Sequence, residues 1–276
     1  MTYGWAILII AIVMVALFQL GILGGTNVAP HATAGACQIY RSAAGSSLAG
    51  QCNNLEPQFV SQFSGTRSDV NLPQINSESG TNPISYTIWF NTLSIPGSWP
   101  VVFGDTTGSP RNGYDIYFGG AGSSNPNHLA LERFSGGSST VLHSISNLPL
   151  DTWYFAVVTY DGTNLRLYLN GVLQGTASSS GSITVDSIMS LGATSGSGNY
   201  GNFDLADFQI YNTSLSQSEV TALYQEGIGG APIDPTHIVG WWPLNGNAQD
   251  YSGNNNGGVP TNVVYTSSWT SGYTAP

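Results

Sequence analysis

The chain has 276 residues, room for two average domains or one large all-β domain, and 41% of them are hydrophobic and 11% aromatic, enough for a sizeable core. Charged residues make up only 7%, lysine is absent, and the basic residues are Arg41, Arg67, Arg111, Arg133 and Arg166, giving a net charge of −10. Such a chain has no electrostatic means of holding a phosphate backbone, which argues against nucleic acid as a partner. Its surface must be built from Ser, Thr, Asn and Gly, a coat that suits an ordinary secreted β protein. It also suits life in acid, where carboxylates lose charge but hydroxyls and amides still hold water.

The first predicted element runs from Trp5 to Leu23 and is apolar on every side, interrupted only by Gln19 and Gly21. At about 1.5 Å rise per residue it spans roughly 28 Å, the thickness of a bilayer's hydrocarbon core. Its lack of a polar stripe excludes a surface-lying amphipathic helix. A cleaved signal peptide, the competing reading, calls for a basic n-region and a shorter apolar core. Gly24 and Gly25 end the run, so residues 1–25 are expected to form a hydrophobic helix. Residues 26–54 follow as a linker containing His31 and the two cysteines, Cys37 and Cys52. With no histidine beside them they make no zinc site, and outside the cell they are expected to pair as a disulfide; two buried thiols are the alternative. The chain's single N-glycosylation sequon starts at Asn212 and fits the same exterior location.

The stretch Met1-Thr2-Tyr3-Gly4-Trp5-Ala6-Ile7-Leu8-Ile9-Ile10 resembles the hydrophobic segment of archaeal type IV pilin-like proteins with class III signal peptides. The resemblance covers about 23 residues. It implies a helix able to sit in a membrane or to pack with copies of itself in a filament core, and hence a homo-oligomer or filament.

From residue 55 to 268 the pattern has period two, with turn residues between short runs. Tyr86–Phe90 and Tyr114–Phe118 are rich in strand formers. Trp153–Tyr160 is the strongest run; Asp161-Gly162 turns it into Leu165–Leu169, and Asn170-Gly171 signals a two-residue hairpin. Only Leu215–Gln225 reads as helix, with Ser216 as cap, Glu219 three residues on and Gly227 as stop. Many short strands, glycine-rich turns and one small helix predict an all-β sandwich or jelly roll. Residues 269–276 read as a tail.

Trp153–Gly171, with its W-Y-x-A-V pattern leading to Y-D-G-T and L-Y-L-N-G, resembles the central hairpin of laminin-G-like (LamG), concanavalin A-like jelly-roll domains. Leu205–Asn212 with Leu215-Ser216 and Leu223-Tyr224 is similar to that family's closing strand and short helix, and Phe59–Pro73 to its early strand. The segment Gly240–Asn254, beginning G-W-W-P-L-N-G, resembles the opening of such a domain yet stands near the end of the chain. A permuted sandwich is therefore expected, with the C-terminal segment from about Gly240 to Val264 paired into the sheets and Trp241 or Trp242 buried.

Catalysis finds no support in the sequence. A glycosidase needs two carboxylates across one cleft, but Glu132, Glu219 and Glu226 fall in different predicted elements, and no E-x-D-x-x-E strand occurs. His128, His143 and His237 lack a neighbouring nucleophile motif. Trp99, Tyr114, Tyr117 and Tyr200 lie near loop ends and are the candidate platforms for sugar rings, although core packing is an alternative use for each. The resemblance also implies calcium held by loop oxygens, for which Asp250 and Asn254 are the first choice, though D-Y-S-G-N is equally a turn. The expected protein is a non-enzymatic, cell-surface, pilin-like adhesin displaying a carbohydrate-binding-type domain to glycans or other cell surfaces. A monomeric membrane-anchored lectin is the alternative, and a glycoside hydrolase a remote one.

Overall fold

The structure is a computed structural model that describes residues 56–276, apart from 76–78, 98, 107–109, 121–122, 185–187 and 195–197. The helix expected over Trp5–Leu23, the linker, and Cys37 and Cys52 lie outside the described residues.

Among the described residues, fifteen strands and one helix follow in chain order: β1 Val60–Gln62, β2 Asp69–Pro73, β3 Ile84–Ser94, β4 Val101–Gly104, β5 Gly113–Phe118, β6 Leu129–Ser135, β7 Ser138–His143, β8 Trp153–Tyr160, β9 Asn164–Leu169, β10 Val172–Ser178, β11 Ile188–Leu191, β12 Asn202–Tyr211, α1 Gln217–Glu226, β13 Ile238–Trp242, β14 Val259–Thr261 and β15 Val264–Thr266. They form two antiparallel sheets. The first has the order β10-β9-β8-β3-β12-β1-β15, and the second β14-β2-β11-β4-β5-β6-β7. Strand β13 also joins the first sheet, pairing with the second half of β12 while β1 pairs with its first half. The result is the jelly-roll sandwich expected from the period-two pattern.

The central strands of the first sheet, β3, β8 and β12, are buried on both faces. Tyr86, Ile88 and Phe90 of β3 and Ala156, Val158 and Tyr160 of β8 point into the core between the sheets. The alternate residues Trp89, Phe155 and Val157 point the other way, into a second core roofed by α1 and the C-terminal end. That double burial explains why β8 reads as the continuous apolar run W-Y-F-A-V-V rather than as an alternation. The helix is held as its sequence suggests. Ser216 and Glu219 form a reciprocal capping box, and Gly227 ends the helix at φ 79°. Tyr224 of α1 stacks on Trp89 at 5.8 Å. The Asn170-Gly171 turn has φ of 49° and 77°, the two left-handed residues that the tightest hairpins require.

The C-terminal segment is woven into both sheets: β13 pairs with β12, β14 with β2, and β15 with β1. Adjacent tryptophans therefore serve opposite faces. Trp242 stacks on Phe208 at 5.5 Å in the core between the sheets, and Trp241 lies in the second core, donating to the Asp207 carboxylate at 2.8 Å. Both are buried, not one. Packing continues beyond residue 268: Trp269 is buried against Trp153 and donates to the Pro57 carbonyl.

Candidate functional site

The second sheet has one covered face and one outer face. On β5, Tyr114, Ile116 and Phe118 belong to the core between the sheets, so Asp115 and Tyr117 point outward. On β6 the inward residues are Leu129 and Leu131, which leaves Ala130 and Glu132 outside. Register then builds a row across the sheet. Thr261 pairs with Asp69, Asn71 with Ser190, Ser190 with Gly104, Gly104 with Asp115, and Asp115 with Glu132. A polar stripe thus crosses strands that lie far apart in the chain.

At one end of the stripe is a cavity of about 220 Å³ lined by Asp69, Asn71, Ser190, Thr194, Tyr200 and Thr261. Carboxylate, amide and hydroxyl groups converge there beside one aromatic ring. Ser190 donates to Asn71 Oδ1 at 3.0 Å, which fixes the amide with its nitrogen toward other partners. Burial raises the Asp69 carboxyl against a hydrogen bond from Asn71. A parallel bridge from Val101 to Tyr200 ties the cavity to β4.

At the centre, Gly104 lets the Ala193–Thr194 backbone close over Asp115. A Cβ there would lie 2.9 Å from Asp115 Oδ1 and 3.2 Å from the Ala193 carbonyl. The Asp115 side chain is only 5% exposed, receives the Thr106 hydroxyl, and pairs with Arg111 at 2.7 Å. Its carboxyl is pushed up to about 7, chiefly by burial and further by Glu132 opposite, which together outweigh Thr106 and Arg111. Asp105 next to it is also buried. One of its oxygens receives the Tyr114 N–H and the other has no partner, and burial with the nearby Asp115 charge holds its carboxyl well above the ordinary range.

Trp99 stands at the far end, 42% exposed and perpendicular to Tyr117 at 5.6 Å between ring centres. Tyr117 is nearly covered, packed with Val101 and Ala130. Burial first, then the Glu132 and Asp115 charges, raise its pKa. Trp99 is thus the exposed ring, and Tyr117 is the post that supports it.

Three of the four aromatic candidates, Trp99, Tyr117 and Tyr200, therefore meet on one face. Tyr114 does not. It is 1% exposed inside the sandwich, 5.3 Å from the Tyr86 ring, and its hydroxyl accepts from Arg133. In Y-D-I-Y-F, strand alternation sends Tyr114 and Tyr117 to opposite faces, which corrects its reading as a platform. Asp250 and Asn254 are likewise reassigned. Asp250 Oδ1 accepts from Trp241 N and Ser252 N, and Oδ2 from Ser252 Oγ and Asn256 N. Asn254 turns its amide nitrogen to the Val239 carbonyl. Their polar groups are engaged in tying the turn after β13, and among the described residues no three His, Cys, Asp or Glu side chains converge. Asn212 is exposed at the end of β12, with its N–H on the His237 carbonyl.

Sequence reasoning passed over Asp69 and Asp115, and named Glu132 only as a carboxylate without a catalytic partner. The alternation in Y-D-I-Y-F was visible and sets Asp115 beside Tyr117. The pairing that brings Glu132 opposite them depends on register across a ten-residue connection.

An antiparallel jelly roll with an open, polar outer sheet is the architecture of lectin- and glucanase-type domains. Residues 64–221 match the LamG-type family described as the concanavalin A-like lectin/glucanases superfamily; this is more than half of the chain, which belongs to that superfamily. Among solved structures, a protein of Bacteroides ovatus provisionally described as carbohydrate-binding is similar at TM-score 0.61 and 14% identity, covering 77% of this chain. The chain spans 60% of that protein's length. A heptameric serum-amyloid-P-like pentraxin of Limulus polyphemus is similar at TM-score 0.53 and 13% identity, covering 78% of this chain and 95% of its own. No curated protein matches.

Proposed function

We propose that the outer face of the second sheet binds carbohydrate without cleaving it. The observation that carries this reading is the stripe from the Tyr200 cavity to Trp99, which sets an exposed indole and a small polar cavity on one rigid sheet. Aromatic rings cover the apolar faces of sugars, while amides, hydroxyls and carboxylates satisfy their hydroxyl groups. The description attached to the Bacteroides ovatus relative and the superfamily itself point the same way.

Asp115 and Glu132 are a carboxylate pair, the equipment a hydrolase uses. Their setting favours binding. Asp115 is nearly sealed, and both of its oxygens are held by Thr106 and Arg111. It is not placed to reach a glycosidic bond. Titration calorimetry of the full chain in detergent against oligosaccharides tests the reading: Trp99→Ala is expected to lose at least about tenfold in affinity, the scale of one well-packed aromatic contact. Shortened products in the titration cell, or binding unchanged by Trp99→Ala, would overturn it.

The same proposal places the domain at the cell surface, attached through the apolar run Trp5–Leu23, with a filament core as its favoured setting and a monomeric membrane anchor as the alternative. Among the described residues no helix is long and apolar enough to cross a membrane, so the attachment rests on the sequence of that run. Removing residues 1–25 should yield a soluble monomer that keeps the fold, and fibres formed by that fragment would refute the division of labour.

A further inference from the structure

Building on the carbohydrate-binding reading of this face, we infer that its glycan carries free amines: Glu132 takes an ammonium group while the sugar ring lies on Trp99. The charges on the face run one way. Asp69, Asp115 and Glu132 all project from its strands. Its cation, Arg111, is already engaged, donating to Asp115 at 2.7 Å and Thr106 at 2.9 Å while its guanidinium lies 3.9 Å over the Phe134 ring. The other described arginines are occupied elsewhere. Arg133 is buried and donates to the Tyr114 hydroxyl and the Gly181 carbonyl. Arg166 pairs with Asp161, and Arg67 lies near the turn after β14, where its carbonyl receives the Asn262 amide. The chain has no lysine. Burial, and then His128 nearby, lower the His143 imidazole, which keeps it neutral at pH 7.

Glu132 is half-buried, faces Asp115 on one side of the sheet and Val141 on the other, and joins no ion pair among the described residues. A uronic acid would meet Glu132 and, along the face, Asp69, with no free arginine or lysine among the described residues. An uncharged sugar would cover Glu132 further and leave its charge unanswered, which costs free energy. An ammonium supplies the missing partner through a charge-assisted hydrogen bond, and the face of an indole attracts the same charge. Tyr117 lies between the two, with its ring against Trp99 and its strand β5 paired with β6, which places Glu132 diagonally beside it on the same face. The groups that face Asp115 are Glu132, Asp105, Arg111 and Thr106.

The experiment is calorimetry of the full chain in detergent with tetramers of β-linked glucosamine, N-acetylglucosamine, glucose and glucuronate. The glucosamine tetramer is expected to bind about tenfold tighter than its acetylated form, as one partly desolvated cation contact provides. That preference should fall as salt rises and disappear in Glu132→Gln, whose melting temperature stays that of the parent. Equal or tighter binding of the acetylated, neutral or acidic tetramer would overturn the inference while leaving the binding reading intact, as would a preference unmoved by Glu132→Gln. A lysine-rich peptide that binds as tightly as the glucosamine tetramer and competes with it would assign the face to another class of ligand. Binding of no tetramer at all would remove the carbohydrate reading and this inference together.

Discussion

The two sheets of this sandwich share a core but live in different surroundings. The first is roofed by α1 and the C-terminal end, so its central strands β3, β8 and β12 are buried on both sides. The second turns one polar face outward, where Asp69 and Glu132 are half-buried while Ser190 and Asp115 are covered. The comparison separates stability from recognition: residues that cannot be removed without unfolding lie around the first sheet, and residues free to meet a ligand lie on the second.

The largest expected effect comes from the C-terminal segment. Deleting residues 238–276 removes β13, β14 and β15 along with three buried tryptophans, and it bares the edges of β12, β2 and β1. Each lost tryptophan alone costs about 3–5 kcal/mol, so the three together match a typical total stability of about 5–15 kcal/mol before the lost strand pairing is counted. Urea unfolding should show no cooperative transition; a deletion variant that unfolds as sharply as the parent would break the comparison.

A pair of single substitutions sharpens it. Trp242→Ala, in the core between the sheets, should lower stability by about 3–5 kcal/mol. Trp99→Ala, on the open face, should change stability by less than about 0.5 kcal/mol while losing the glycan. Comparable melting losses for the two would mean that the second sheet's face is not free.

The pH response gives a smaller effect, and its sign follows from burial. Asp207 in β12 is raised to about 7 by burial, against hydrogen bonds from Gln209 and Trp241. Asp204 is raised to about 6, again by burial first. Both lie above the unfolded value of about 3.9, so the folded state holds protons that the unfolded state releases. Their contribution is complete below about pH 4 and is lost as pH rises through 6 and 7. Melting temperature should therefore rise on going from pH 7.5 to pH 4.5, in keeping with a surface that needs no charge. Asp207→Asn should flatten that slope, and a melting temperature that falls across the same interval would contradict the assignment. The smallest effect is Ser216→Ala, which removes the capping box of α1 and should cost about 1 kcal/mol in thermal unfolding, leaving glycan binding untouched.

Much of the framework was legible because its signals are local. Asn170-Gly171 makes its hairpin and Ser216 and Glu219 cap their helix through residues adjacent in the chain, whereas the G-W-W segment near Gly240 was legible through its resemblance to a family motif and pairs with β12, with β14 and β15 after it reaching β2 and β1 at the other end of the domain. The site was legible only in part. Trp99, Tyr117 and Tyr200 could be picked out as aromatic residues near loop ends, but the same rule also picked Tyr114, which faces inward. Asp250 and Asn254 looked like ion ligands because turn sequences and ion-binding loops draw on the same side chains, and the hydrogen bonds from Trp241, Ser252 and Asn256 decide for the turn.

The sequence by itself determined the class of fold, since period-two alternation, hairpin turns and one capped helix act over a few residues and leave few ways to bury so many aromatics. Only the tertiary structure decided which sheet would be open and which charges would share it. Asn71, Ser190, Asp115 and Glu132 come from four strands, and register through Gly104 aligns them across the sheet, with Asp69 two residues along β2 on the same face, while a slip of one residue would turn each of them to the other face.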